Sequence, residues 1–408
     1  MSDSIVISGL GAVTALGSDL DTIWDKLVAG EHALAPLTNI DTSHYKSHLG
    51  AEVKSFPCAE FIPAMQARRL DRVSQMTVVA AYKAIQDAAL ENYVADNERV
   101  GIVMGAGLGA TSYTDDFFVG MLKKGPASAN PMLFPNTVPN AAASHVSIQM
   151  KLRGLNTTFS HKEVSAEQAF NYAFRQLLKN EADVLLVGGA EEISFFLFHA
   201  LAVTKSLAPR NPLLPEMMAP YDRKRNGLVL GEGAAVVVME RLDHLKKRAG
   251  QAYSQVLAAE LSSAPVGILG YHPQGKDLQA AIVKAMKRAR CDRQKLGFIS
   301  GGANSTELLD RAEAHALETM FGEQHIPLAG LKAYIGCFHA GGMARIVLEN
   351  LILTRDYVPR TPGLTEPIPE NKLDFVMGEG RHLALTHLLH CASSYGGTSS
   401  AIILKRWK

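Results

Sequence analysis

Between Gly154 and Ile193 the chain reads as strand, helix, strand with almost nothing in between. Thr157, Thr158 and Phe159 favour an extended run over Leu155–Ser160. Apolar side chains then recur at Ala166, Ala169, Phe170, Ala173, Phe174, Leu177 and Leu178, the stripe of a helix with one buried face. Ser165 and Gln168 are spaced as a capping box at its start. Asp183–Val187 is a short apolar strand running into Gly188-Gly189. Strands without polar alternation are those covered on both faces, so this unit predicts a sheet with helices on each side. It also delivers a strand end to the N-terminus of a buried helix, where the helix dipole stabilises an anion.

The rest of the chain keeps the same alternation. Ile5–Ser8 predicts a buried strand, followed by Gly9-Leu10-Gly11-Ala12. A dinucleotide-binding turn would need a third glycine and a later acid, and neither is present. Asp21–Ala29 and Ser74–Asn92 read as helices, and Val100–Gly105 as a strand. Ala234–Glu240 closes a first half, and a basic helix near His244–Arg248 leads to a second. There, strands are predicted at Gln255–Ala259, Gly297–Ser300, Tyr334-Ile335 and Ala401–Leu404, and helices at Leu278–Ala289, Glu307–Phe321 and Gly342–Leu353. The boundary falls at 245/246, giving halves 1–245 and 246–408.

Composition excludes several classes of function. With 408 residues, 47% hydrophobic, 20% charged and a net charge of +1, the chain lacks the basic excess expected for nucleic acid or an anionic membrane. Cys58, Cys291, Cys337 and Cys391 have no paired spacing, which suits a reducing, cytoplasmic setting. The longest apolar run, Phe195–Val203, is too short to span a bilayer, and no basic secretory segment precedes the first strand. Fourteen histidines show no metal-ligand spacing, so no metal or cofactor is expected.

Two segments carry a specific resemblance. Gly154-Leu-Asn156 through Ala166, followed by Ala182-Asp-Val-Leu-Leu-Val-Gly188-Gly-Ala-Glu-Glu192, is similar to the nucleophile region of β-ketoacyl-acyl-carrier-protein synthases, the thiolase-like condensing enzymes. Pro220-Tyr-Asp222 through Gly231-Glu232-Gly-Ala-Ala235 resembles a loop of the same family, in which Asp222, Arg225 and Glu232 look like a structural ion-pair cluster. The resemblance runs from Ile5 to Leu404 and implies the duplicated αβαβα, five-layered thiolase-like fold.

The same resemblance locates the chemistry. The family's cysteine stands 25 residues before the first glycine of the GGAEE element, a position held here by Glu163. Its two histidine positions fall on Gly302, within Ser300–Thr306, and on Cys337, while the lysine is retained as Lys332. The C-terminal gating loop becomes Cys391-Ala-Ser-Ser-Tyr395-Gly-Gly-Thr-Ser399. Claisen condensation needs a thiolate, an oxyanion hole and imidazoles. The degenerate positions therefore imply a chain that is not itself an enzyme: a chain-length factor, pairing with an active ketosynthase in a type II polyketide system such as an aryl polyene one, and meeting acyl carrier protein through the complex.

In the resembled fold Leu155, Asn156, Thr157, Thr158, Phe159 and Ser160 pair across the subunit interface. Leu108, Thr111, Tyr113, Phe117, Phe118, Leu133 and Phe134 would line the acyl tunnel; packing alone is the other reading of these aromatics. The rival function is an independent homodimeric acyl-thioester enzyme, a decarboxylase or hydrolase using Glu163. A Cys337–His339 nucleophile and base pair is disfavoured, because side chains at i and i+2 do not face each other well.

Overall fold

The computed structural model describes residues 4–211, 214–369 and 371–407. Eleven strands form its main sheet: β1 (Ile5–Thr14), β2 (Val100–Gly105), β3 (Asn156–Phe159), β4 (Val184–Glu191), β5 (Gly233–Arg241), β6 (Ser254–Ser263), β7 (Leu296–Ser300), β8 (Pro327–Ala329), β9 (Asp374–Phe375), β10 (His387–Ser394) and β11 (Thr398–Arg406). Their order is β9-β8-β7-β10-β11-β6-β1-β5-β4-β2-β3. Among the described residues the two wings are joined within the sheet where Ile5, Val6 and Ile7 of β1 pair antiparallel with Val256, Gln255 and Ser254 of β6. Each wing has the same sense. β2 runs parallel to β3 and β4, as β7 does to β8 and β10, while the strands nearest the junction are antiparallel.

Helices complete five layers. The main ones are α1 (Arg72–Asp87), α2 (Thr111–Lys124), α3 (Ala141–Met150), α4 (Ser165–Leu178), α5 (Phe195–Val203), α6 (Lys276–Ala289), α7 (Glu307–Phe321) and α8 (Gly342–Arg355). α1 and α3 cover the outer face of the first wing, and α6 and α7 that of the second. Between the wings lie α4 and α8, whose Phe170, Phe174, Ile346, Val347 and Leu351 belong to one core with Ile7, Leu10 and Val187. α8 is buried from Gly342 to Leu353 on every side, the pattern of a helix enclosed by protein rather than lying on a surface. Gly189 explains the glycine pair at the end of β4: a Cβ there would stand 2.4 Å from the carbonyl oxygen of Ala340, just ahead of α8.

Most predicted elements stand, but the helix read as Ser74–Asn92 ends at Asp87 and the strand from Ile5 runs on through Gly9-Leu10-Gly11-Ala12 to Thr14. Two further corrections concern kind rather than bounds. Tyr334-Ile335 is not a strand but part of a helical turn, Lys332–Ile335. It is fixed by Ala333 N–H to Gly330 and Tyr334 N–H to Leu331, and by the Tyr334 hydroxyl donating to the Arg360 carbonyl at 2.8 Å. Burial of all four residues overrides their strand propensity. Nor does the capping box form, because Ser165 is already inside α4. Its hydroxyl accepts the His161 N–H at 2.8 Å and donates to the Lys162 carbonyl at 2.6 Å.

β4 ends by placing Glu191 under the glycine turn after β2. Its carboxylate accepts N–H groups from Gly107 at 2.9 Å, Leu108 at 3.1 Å and Gly109 at 2.6 Å. Burial nonetheless wins over these donors and, with Glu192 adjacent, pushes the carboxyl up to about 7. The folded state therefore holds a proton that the unfolded chain releases near pH 4.5. Stability from this group is complete below that pH, falls as pH rises towards 7 and is level above it. Glu191→Gln removes the titration. Urea unfolding at pH 5 and pH 8 should show the variant gaining on the wild type by up to about 3 kcal/mol at the higher pH. An equal difference at both pH values would refute this.

Candidate functional site

The site is built where β3 turns into α4. Lys162 has φ +52, and the turn Lys162–Val164 points the next side chain inward. That side chain is Glu163, 8% exposed. Its Oε2 accepts the Tyr271 hydroxyl at 2.6 Å and the Tyr395 backbone N–H at 3.1 Å, and its Oε1 accepts the Asn304 amide at 3.1 Å. The three donors come from three separate segments: the stretch after β6, the loop after β7, and the β10–β11 turn. A carboxylate withdrawn from water is costly unless its lone pairs are met by donors, and here they are.

Around this centre the polar groups continue. The Tyr395 hydroxyl lies 3.2 Å from His339 Nε2, and Lys162 Nζ bonds the Tyr395 carbonyl at 3.3 Å while standing 4.5 Å over its ring. His339 Nδ1 is 3.7 Å from Glu191, and burial lowers the pKa of this imidazole. Burial and the Glu163 charge push the Tyr395 phenol up to about 12 and the Tyr271 phenol well above its usual range. Cys337 is 4% exposed, and burial pushes its thiol up to about 11 despite the pull of Lys332. It is a protonated thiol at neutral pH, the opposite of an activated nucleophile. Lys332 is itself buried.

Beneath the site sits a quartet of charged side chains, each 1% exposed or less. His390 lies between Glu349, 2.8 Å from Nδ1, and Glu167, 3.0 Å from Nε2. Burial and Arg345 oppose protonation of this imidazole, but the two carboxylates prevail and hold its pKa up. Arg345 in turn donates to the carbonyls of Gly301 at 2.6 Å and Cys391 at 2.7 Å, fixing the backbones that carry Asn304 and Tyr395.

The residues singled out in the sequence are distributed as follows. Glu163, Cys337 and Lys332 come together. Gly302 lies beside them but faces away: a Cβ on it would meet the Cys391 carbonyl at 2.8 Å, and its N–H goes to Glu313 at 2.8 Å. Asn304, two residues on, reaches the centre instead. Asp222, Arg225 and Glu232 do not form one cluster. Asp222 accepts backbone N–H groups of Lys224, Thr365 and Glu366; Arg225 lies 3.8 Å from Asp310; Glu232 pairs with Arg72 at 2.6 Å. β3 forms the outer edge of the sheet, paired only with β2 among the described residues. Leu108, Tyr113, Phe117 and Leu133 are half-buried and Thr111 is buried, whereas Phe118 is 50% and Phe134 59% exposed. Sequence reasoning missed Tyr271, weighed His339 only as a disfavoured partner of Cys337, and quoted Asn304 and Tyr395 only as motif positions. Tyr271 sits in a Gly- and Pro-punctuated stretch with no spacing that ties it to Glu163. No helix among the described residues is long and apolar enough to cross a membrane, and no group of His, Cys, Asp and Glu among them could hold a metal ion.

Comparison with known proteins places this arrangement. The β-ketoacyl synthase N-terminal domain matches residues 2–244 and the C-terminal domain residues 253–365. The chain is 29% identical over 406 residues to 3-oxoacyl-[acyl-carrier-protein] synthase 2 of Coxiella burnetii, covering 98% of both, and 27% identical over 408 residues to the protein of that name from Staphylococcus aureus strain COL, covering 99% of this chain and 98% of the relative. A β-ketoacyl synthase structure from Burkholderia phymatum superposes over 100% of both chains with a TM-score of 0.92 at 28% identity. The ishigamide ketosynthase/chain length factor gives 0.93 at 21%, also over 100% of both chains. A ketosynthase in complex with its chain length factor from Xenorhabdus doucetiae gives 0.84 at 20%, over 99% and 98%. These last two share the fold.

The relatives correct one expectation. The absence of a cysteine and two histidines suggested a chain that is not an enzyme, yet proteins named as synthases match it from end to end. The physical error was to equate three empty positions with an empty site: Glu163, Lys332, Cys337 and His339 still crowd one buried polar centre. With both domains matched and the five layers in place, the chain belongs to the β-ketoacyl synthase family.

Proposed function

We propose that the chain works in carrier-protein-bound acyl elongation as the chain-length-factor type of subunit, pairing with a second ketosynthase subunit and shaping the acyl tunnel between them. A polyketide system is the setting, with an aryl polyene product as its narrower form. The observations that carry this reading are the exposed apolar surface of α2 and α5 and the outer edge of β3, unpaired among the described residues. Phe117 packs against Phe118 at 5.4 Å and Phe134 at 5.8 Å, and the latter two are exposed. Leu122 is 84% exposed on α2, and Phe195 and Phe196, each 53% exposed, open the neighbouring α5. An exposed apolar surface and an unpaired sheet edge are each what a lasting partner covers. Two assemblies of this fold, from ishigamide biosynthesis and Xenorhabdus doucetiae, bear the names of ketosynthase and chain length factor.

Co-expression with a ketosynthase encoded beside this chain, followed by size-exclusion chromatography, should give a heterodimer burying about 2,000 Å² or more. A homodimer that persists in the presence of that ketosynthase would favour the rival, an independent acyl-thioester enzyme using Glu163.

The tunnel reading is tested by Tyr113→Ala, Phe117→Ala and Phe118→Ala in the reconstituted pair. Phe118 is exposed in the single chain, so its truncation should change the fold's stability by no more than about 0.5 kcal/mol. The expected outcome is a shift of product distribution towards longer chains with the heterodimer intact. Unchanged lengths from all three would make these aromatics interface packing only.

A further inference from the structure

Two segments that close over the site meet at a single side chain. The stretch from Ala264 to Gly275 leaves β6 and carries Tyr271; the β10–β11 turn carries Tyr395. Two backbone hydrogen bonds join them directly, Ala264 N–H to Gly397 at 2.7 Å and Gly396 N–H to Gly270 at 2.8 Å. The 264–275 segment has no hydrophobic anchor at its tip: Ile268 is 77% and Leu269 67% exposed. Inward, both segments end on the same atom. Glu163 Oε2 takes the Tyr271 hydroxyl and the Tyr395 N–H, while Oε1 is held by Asn304, which is tied to Thr306 by its own carbonyl.

We propose that Glu163 is a clasp, a positioning residue whose carboxylate holds the 264–275 and 391–399 segments together as one closed cover over the polar centre. Three features support this. The carboxylate stands in a rigid turn, with Ser165 bonding both His161 and Lys162 around it. Its two inward contacts on the cover are a phenol hydroxyl and a main-chain N–H, so the clasp needs an acceptor of that reach and not a particular charge. Removing it strands one donor on each segment at once, which couples their opening. A thiol at 163 would be too short to meet both. The proposal stands apart from the heterodimer reading, because every group in it belongs to this chain.

Amide hydrogen exchange on the full chain tests it, comparing the wild type with Glu163→Ala, Glu163→Gln and Tyr271→Phe. Loss of the Glu163 acceptor in a locally opening segment should speed exchange about tenfold or more. In Glu163→Ala that acceleration is expected in peptides covering both 264–275 and 391–399, while β4 and α8 exchange as before. Tyr271→Phe, which removes only the hydroxyl and keeps the ring, should loosen both segments too. Glu163→Gln keeps one acceptor oxygen and should stay close to the wild type. Unchanged protection in Glu163→Ala and Tyr271→Phe would overturn the proposal. So would loosening confined to the segment that carries the substitution, or a Glu163→Gln variant as open as Glu163→Ala.

Discussion

The packing of α4 against α8, with a wing of the sheet on either side, is the contact on which the rest depends. α8 has no solvent face from Gly342 to Leu353 and α4 only a narrow one around Gln168, Tyr172, Arg175 and Gln176, so their apolar residues must satisfy both wings and each other at once. Close approach is what sets the details. Ala340, ahead of α8, comes so near β4 that only glycine fits at 189. A Cβ at Gly342 would likewise stand 2.0 Å from Glu167 of α4. The site lies at the N-terminal ends of these two helices because that is where the central layer opens towards the loops of both wings.

Burying charge in that layer carries a cost which the geometry has to offset. Glu167, Glu349, His390 and Arg345 form an ensemble of near-zero net charge with the imidazole protonated, so no single ion is left uncompensated. Oε2 of each glutamate and Arg345 Nε still lack a hydrogen-bond partner among the described residues. Such an ensemble is weak evidence for stability. What it does is orient: Arg345 holds the loops after β7 and before Tyr395 at a fixed separation, and Asn304 and Tyr395 reach Glu163 from those loops.

Much of the fold was legible, and for a physical reason. A chain with strands covered on both faces leaves unbroken apolar runs, and the central helices leave long stripes. So α4, α7 and α8 could be read with their bounds nearly right and β4 with its start, though it runs on through Gly188-Gly189 to Glu191. The Lys332–Ile335 turn could not, because four buried residues carry no period to distinguish a turn of helix from a short strand. The site was legible only along the chain. Glu163, Lys332 and Cys337 lie in motifs whose spacing can be counted. Tyr271, 108 residues from Glu163 in sequence, joins it only through the path of an irregular loop. Position 302 shows the limit of counting: a Cβ there would point at the Cys391 carbonyl, and the side chain that reaches the centre comes from 304.

Why a glutamate stands at 163 follows from that same centre. Three donors converge there from three loops, and the turn sits at the N-terminus of a helix whose dipole favours negative charge. A small apolar residue would leave the Tyr271 hydroxyl, the Tyr395 N–H and the Asn304 amide facing one another with no acceptor, and each buried orphan donor costs about 1–3 kcal/mol. An alcohol or thiol could meet one of them. A carboxylate offers two oxygens and about four lone-pair directions, enough for all three. The tyrosines at 271 and 395 are thus intelligible only together with the residue they enclose.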